Sequence, residues 1–87
     1  MPIIAIFYGI IIRLNFGDHN PPHVHAEYQG YKAAFEIKSG KRLAGEFPAT
    51  AEKIVKKWIK KHGAELLNAW TLAHNLKHFH KISGDDL

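Results

Sequence analysis

Three histidines lie close together near the start of the chain, within the sequence GDHNPPHVHAEY at residues 17–28. They are His19, His23 and His25. An imidazole can accept or donate a proton near neutral pH, and it is also a common ligand of transition metals. This segment therefore suggests either acid–base catalysis or metal binding more directly than any other part of the sequence.

The segment begins in a stiff loop. Pro21 and Pro22 fix two φ angles and remove two amide donors, so they do not suit the interior of a sheet. A stiff loop loses little conformational entropy when it positions a side chain, which favours a preorganised site. We therefore expect Asp18 and His19, which precede the prolines, to be held in defined positions.

A strand is predicted directly after the loop, over residues 23–28. On a strand, alternate side chains share a face, so His23, His25 and Glu27 point the same way. The two histidines are about 6–7 Å apart along the chain and can converge on one small ligand. Glu27 lies roughly 13 Å from His23, too far to share an ion with both histidines. It could orient His25 instead.

One interpretation of this cluster is metal-independent acid–base catalysis. Cleavage of RNA needs a base for the ribose 2′-hydroxyl and an acid for the leaving 5′-oxygen. The predicted pair is His23 and His25, supported by His19, Asp18 and Glu27 as further candidate catalytic residues. In this interpretation no cofactor is required.

Two other interpretations stay open. In the second, His19, His23 and His25 bind a divalent transition metal, with Asp18 or water completing the ligand set, as in a metal-dependent hydrolase. In the third, the histidines are structural: they form hydrogen bonds within the loop and belong to a solvated face.

The chain has a formal net charge of +4, and its positive charge is concentrated between Lys41 and His62, where there are seven Lys or Arg residues and two acids. A basic surface favours an acidic partner, either nucleic acid or an acidic protein, although a simple solvated face is an alternative. The candidate nucleic-acid-binding residues are Arg13, Lys53, Lys56, Lys57, Lys60 and Lys61. A further candidate function is that of a non-enzymatic antitoxin or regulator that uses this basic surface.

The length of 87 residues and the absence of cysteine indicate one small domain without disulfides, for which we expect a cytoplasmic location. The apolar residues 3–12 are too few to span a bilayer, so no membrane partner is expected. A domain this small has a limited core, and contact with a second copy would stabilise it. We predict a single domain over residues 1–82 and a flexible C-terminal tail over residues 83–87.

The hydrophobic pattern predicts an α+β fold. Alternating apolar residues indicate strands over residues 3–7, 10–16, 23–28, 31–38 and 41–47, joined by short turns as an antiparallel meander of four to five strands. Helical spacing then begins near Pro48, and Gly63 is a natural stop. A second helix is predicted over residues 64–76, so that an αα-hairpin packs on the sheet. Trp58 and Trp70 fall on the apolar stripes.

These residues also resemble a bacterial family catalogued as domain of unknown function 4160. The resemblance extends over nearly the whole chain to about Leu76, and its most specific part is the run HNPPHVHAEY. It is carried by Pro2-Ile3, Phe7, Gly9, residues 18–28, Gly45, Phe47-Pro48, Trp58, Glu65-Leu66 and Trp70. The family brings no settled activity. Its members resemble components of toxin–antitoxin modules, which implies a cognate small protein encoded by a neighbouring gene as a partner.

Overall fold

The computed structural model describes residues 2–84, which form a five-stranded antiparallel sheet followed by two helices. This confirms the predicted α+β fold. The elements are β1 (Ile3–Phe7), β2 (Ile10–Arg13), β3 (His23–Tyr28), β4 (Tyr31–Glu36), β5 (Arg42–Gly45), α1 (Ala49–Lys61) and α2 (Gly63–His74).

The strands follow their order in the chain across the sheet, and each pairs antiparallel with the next. Tight turns make this meander possible. Tyr8-Gly9 joins β1 to β2 and Gln29-Gly30 joins β3 to β4, and all four residues have positive φ. Such turns match the twist of the strands that they connect.

The two helices cover one face of the sheet. Val24 and Ala26 of β3 point into this core, and like Phe35 each is at most 1% exposed. The alternate residues of β3 point to the opposite face. Trp58 and Trp70 are buried in the core, also as predicted. The Trp58 ring packs 4.8 Å from the Phe7 ring.

Several element boundaries differ from the predicted ones. The strands predicted over residues 10–16, 31–38 and 41–47 end earlier, at Arg13, Glu36 and Gly45. Arg13 pairs with Ile3, the first residue of β1, and Glu36 pairs with His23, the first residue of β3, so these ladders stop there. β5 ends at Gly45, whose positive φ interrupts the extended conformation. Gly63 is not a helix stop: α1 ends at Lys61, and Gly63 is the first residue of α2, which ends at His74.

The segment after α2 covers the core without forming a strand within the described residues. Ile82 is buried, and its backbone N–H donates to the carbonyl of Ile4 at 2.8 Å. Of the predicted tail over residues 83–87, the last three lie outside the described residues. The Ser83 carbonyl accepts a hydrogen bond from Trp58 Nε1 at 2.8 Å. Neither α1 nor α2 is long and apolar enough to cross a bilayer.

One glycine is required by close packing between strands. A Cβ on Gly45 would lie 2.2 Å from the backbone oxygen of Lys32, whereas a Cβ on Gly30 would meet nothing within 4 Å. Both glycines have positive φ, +81° and +85°. The two positions therefore differ in steric contact and share the same kind of backbone conformation.

We predict that Gly45→Ala destabilises the protein much more than Gly30→Ala. Each alanine brings the strain of a positive φ, about 1–2 kcal/mol. Only Gly45→Ala also forces β4 and β5 apart, so we expect its total loss to reach about 3 kcal/mol or more, in the range of strongly destabilising substitutions. Urea unfolding of both variants measures the difference, and equal losses would contradict the close approach of the two strands.

Candidate functional site

The carboxylate of Asp18 lies between two of the clustered histidines. Its Oδ2 atom is 3.0 Å from His23 Nε2 and 3.1 Å from His25 Nε2. Asp18 belongs to the loop between β2 and β3, and both histidines belong to β3. The Asp18 side chain is only 13% exposed, so the cluster is largely shielded from bulk water.

The sheet brings His25 and His23 to the same place. They are alternate residues of β3 and project from the face opposite the helices. Their ring centroids are 4.9 Å apart, closer than their spacing along the chain, because the rings lean towards each other. The loop then folds back over this end of the strand and covers His23, which is 9% exposed.

A hydrogen bond fixes the orientation of the His23 ring. Its Nδ1 atom is 2.6 Å from the carbonyl oxygen of Pro21. A carbonyl can only accept, so Nδ1 carries a hydrogen and donates it. The other ring nitrogen, Nε2, is thereby aimed at Asp18.

His25 Nε2 has a second close neighbour, the side-chain amide of Asn15. Asn15 Nδ2 lies 3.1 Å from it, at the same distance as Asp18 Oδ2. One imidazole nitrogen cannot both accept from an amide and donate to a carboxylate. The Asn15 Oδ1 atom is also buried, without a hydrogen-bond partner among the described residues. Exchanging the oxygen and nitrogen of the amide places Oδ1 beside His25 Nε2, where it can accept a hydrogen bond from that nitrogen.

The Asp18 carboxylate is ionised readily despite its burial. Burial is the largest single influence on its pKa and raises it. The hydrogen bond with His25, the hydrogen bond from the His19 backbone and the attraction of the carboxylate to His23 and His25 when these are protonated together outweigh that effect, and the pKa of Asp18 lies below its ordinary value. The cluster thus presents a carboxylate anion to two imidazole nitrogens.

His19 does not join the cluster. Its ring is 92% exposed, and its Nδ1 atom lies 3.5 Å from the other carboxylate oxygen, Asp18 Oδ1. Its backbone N–H donates to that oxygen at 3.0 Å. The structure therefore brings together Asp18, His23 and His25, whereas the sequence suggested the three histidines.

Glu27 has a different partner from the predicted one. Its Oε1 atom accepts a hydrogen bond from Arg13 Nε at 2.9 Å. The register explains this: His25 lies opposite Arg13, and Glu27 is the diagonal neighbour of Arg13 across β2 and β3. Glu27 therefore does not orient His25, and Arg13 lies on the open face of the sheet, away from the lysines of α1.

The predicted lysines are exposed along α1, which packs on the other face of the sheet. Two grooves are lined partly by these lysines, and neither contains a member of the Asp18 cluster. The larger groove encloses about 660 Å³ above Ile37, Ile59 and Leu67. The lysines that line it are Lys38, Lys56, Lys57 and Lys60.

Sequence reasoning missed two residues of the site. Asn15 interrupts an apolar stretch in phase with Arg13, and that phase places it on the same face as the histidines. His74 is more difficult to find because it is 56 residues from Asp18, yet its Nδ1 atom donates to the Asp18 backbone carbonyl. Only the packing of α2 against the loop brings this pair together.

The model of the family described as domain of unknown function (DUF4160) matches residues 9–71 of the chain. This region includes Asp18, both histidines of the cluster and the whole sheet after β1. No curated protein and no solved structure matches the chain significantly.

We predict that His23→Ala destabilises the metal-free protein by about 1–3 kcal/mol, because it leaves the Pro21 carbonyl and the Asp18 carboxylate without their buried partner. His23→Asn keeps an N–H donor near the position of Nδ1 and should recover part of this loss. Urea unfolding with a chelator present measures both variants. His19→Ala, at an exposed ring, should change stability by less than about 0.5 kcal/mol. Equal effects at His19 and His23 would contradict the described geometry.

Proposed function

We propose that this chain, which belongs to the DUF4160 family, binds one divalent transition metal ion through Asp18, His23 and His25. The observation that carries the proposal is that two imidazole Nε2 atoms face the same carboxylate oxygen at 3.0 and 3.1 Å. A cation in their midst would satisfy all three groups at once.

Protons satisfy the same arrangement less well. If both imidazoles carry a hydrogen on Nε2, His23 becomes a cation because its Nδ1 is also protonated, and both donate to one oxygen. If they do not, nitrogen lone pairs face a carboxylate oxygen at short distance. A metal ion accepts lone pairs from all of these groups and removes the conflict.

The two Asp18 contacts are close to the spacing that a small ion requires. A tetrahedral metal with bonds of about 2.0–2.1 Å separates its ligand atoms by roughly 3.3 Å. Asp18 Oδ2 is 3.0 and 3.1 Å from the two imidazole nitrogens, and the three ligand atoms lie within 4.8 Å of one another. Ligation then requires shifts of a few tenths of an ångström in the Asp18 contacts, and the two imidazole nitrogens, which are up to 4.8 Å apart, must come closer by as much as about 1.5 Å.

The surroundings of His23 are those of a metal ligand. Histidines that bind metals commonly donate their other ring N–H to a carbonyl or carboxylate, which fixes the ring and its tautomer. The bond from His23 Nδ1 to the Pro21 carbonyl has this form. The proline-stiffened loop thus holds both an acceptor for His23 and the carboxylate of Asp18.

A fourth ligand is available in Asn15. Exchanging the oxygen and nitrogen of its amide places Oδ1 3.1 Å from His25 Nε2, where it could bind the ion or a water on the ion. Two histidines and a carboxylate with an open position suit Zn²⁺, Ni²⁺, Co²⁺ or Fe²⁺. Such an ion would supply Lewis-acid chemistry to a hydrolytic reaction.

Metal-independent RNA cleavage by His23 and His25 is less well supported. Each of the two imidazoles would need a nitrogen free to meet substrate. In His23, Nδ1 is bonded to the loop, and the Nε2 atoms of both rings face Asp18. The pair is therefore directed inward, to a shared point, rather than towards a ribose.

A second candidate function is binding of a polyanion by the basic groove, defined by Lys38, Lys56, Lys57 and Lys60. Lysines attract phosphates without reading a sequence, so this groove supports non-specific binding of nucleic acid. It supports an acidic cognate protein equally. Either partner would meet the helical side of the molecule, away from the proposed metal site.

We predict that the untagged protein binds one Zn²⁺ per chain and that Asp18→Asn and His25→Gln each weaken binding at least about 100-fold, because each removes a ligand from the ion. Isothermal titration calorimetry measures affinity and stoichiometry. Zinc at 100 times its dissociation constant should also raise the free energy of unfolding by about 2.7 kcal/mol.

Glu27→Gln and His19→Ala are the matched controls for this experiment. They alter a carboxylate and a histidine of the same segment that lie outside the cluster, and both should leave zinc affinity within about twofold. No stoichiometric binding of Zn²⁺, Ni²⁺, Co²⁺ or Fe²⁺, or unchanged affinity in Asp18→Asn, would contradict the proposed site.

For the basic groove, we predict that the double variant Lys57→Glu/Lys60→Glu binds a 20-nucleotide single-stranded RNA at least about tenfold more weakly at low salt, with a shallower salt dependence. The control, Lys32→Glu/Lys77→Glu, changes net charge equally at exposed positions that do not line the groove. Fluorescence anisotropy over a salt series compares them. Equal losses in the two variants would show that net charge alone governs binding.

A further inference from the structure

Helix α2 is hydrogen-bonded at two adjacent points to the loop between β2 and β3, which carries Asp18. The backbone N–H of Gly17 donates to the carbonyl of Ala73 at 2.9 Å. One residue further along both segments, His74 Nδ1 donates to the backbone carbonyl of Asp18. The end of α2 thus holds the backbone of Asp18 on both sides.

The ring of His74 is itself held in place. It stacks on the ring of Trp70, with centroids 4.7 Å apart and an interplanar angle of 14°. Trp70 is buried in the core at 7% exposure. His74 is exposed at the surface, but it has one defined orientation, with its Nδ1 directed at the loop.

This attachment affects one ligand in particular. His23 and His25 are positioned by the hydrogen-bonded ladder of the sheet. Asp18 lies in a loop, so the position of its carboxylate depends on how firmly the loop backbone is held. Groups that fix a ligand beforehand lower the entropy lost on binding, and loss of such outer partners commonly costs metal sites 10–100-fold in affinity.

We propose that His74 is the positioning residue of the metal site and that it couples metal occupancy to the order of the C-terminal end of α2. This inference rests on the proposed metal-binding function. Coupling of two equilibria is reciprocal, so if the His74 bond favours the metal-binding position of Asp18, metal binding stabilises that bond by the same factor. The end of α2 therefore becomes more ordered when the ion binds.

The residues next to this contact form an exposed apolar surface, which the coupling between metal binding and the end of α2 would also affect. Phe16, next to Gly17, is 42% exposed, and Leu76, two residues after His74, is 73% exposed. A Cβ on Gly17 would lie 3.3 Å from the Leu76 side chain, so loop and helix end are in contact here as well. Metal occupancy would thus change the mobility of a surface as well as that of the buried ligands.

Four proteins test the proposal: the wild type, His74→Ala, His74→Asn and His80→Ala. Asparagine keeps an amide N–H near the position of Nδ1. His80 is an exposed histidine of the following segment that, within residues 2–84, makes no hydrogen bond to the loop, so it controls for loss of an imidazole. Zinc affinity is measured by calorimetry, and amide hydrogen exchange over residues 75–77 is followed with and without saturating Zn²⁺.

We expect His74→Ala to bind zinc about tenfold or more weakly than the wild type. His74→Asn should recover most of the affinity, and His80→Ala should match the wild type. Zinc should slow exchange at Asn75, Leu76 and Lys77 in the wild type, where each amide is hydrogen-bonded to α2. At equal saturation it should have little effect on these amides in His74→Ala. A merely structural role for His74 would not link these amides to the ion.

The outcomes separate this inference from the proposed function. If the wild type binds no zinc, the proposed function fails, and the coupling fails with it. If the wild type binds zinc and His74→Ala binds it equally well, with the same slowing of exchange, metal binding stands and the positioning role is overturned. A loss in His74→Ala that His74→Asn does not restore also overturns the role assigned to the hydrogen bond.

Discussion

The close approach of one carboxylate oxygen to two imidazole nitrogens is the contact on which the arrangement of the neighbouring elements depends. Asp18 Oδ2 lies within 3.1 Å of both His23 Nε2 and His25 Nε2. A carboxylate can be shielded from water in this way only if its charge is compensated. Three neighbouring elements produce this arrangement. Strand β3 places the two imidazoles side by side, the proline-containing loop brings Asp18 next to them, and α2 holds the loop through hydrogen bonds.

The fold was largely predictable from the sequence because hydrophobic alternation indicates strands and turn residues indicate where the strands end. The bounds of β1 and β3 are as predicted, since Gly9 and Gly30 turn the chain and the prolines interrupt it. The ends of β2, β4 and β5 were not predictable from alternation, because Arg13 and Glu36 pair with the first residues of β1 and β3, and Gly45 has a positive φ. The prediction that Gly63 stops a helix was wrong because its neighbour His62 already ends α1, which allows the glycine to begin α2.

The site was predictable only where its members are neighbours along one strand. Strand periodicity placed His23 and His25 together. It could not choose between Asp18 and His19 in the loop, since loop directions depend on bonds such as that of His23 to the Pro21 carbonyl. Glu27 shows the limit of reasoning along one strand, because its partner Arg13 comes from the neighbouring one. His74, contributed by a distant helix, gave no local signal.

The placement of the charged groups also bears on how the domain can act. The histidine cluster opens from the face of the sheet opposite the helices, and the lysines that line the groove over Ile37 and Leu67 are mostly on α1, on the helical side. The residues of the histidine cluster and those that line the groove do not overlap, so any energetic coupling between the two surfaces must pass through other residues. The end of α2 approaches the loop between β2 and β3 from the helical side, through His74 and Ala73. If a partner on the helical side alters the geometry of the histidine cluster, α2 is therefore the physical route that the structure provides for that change.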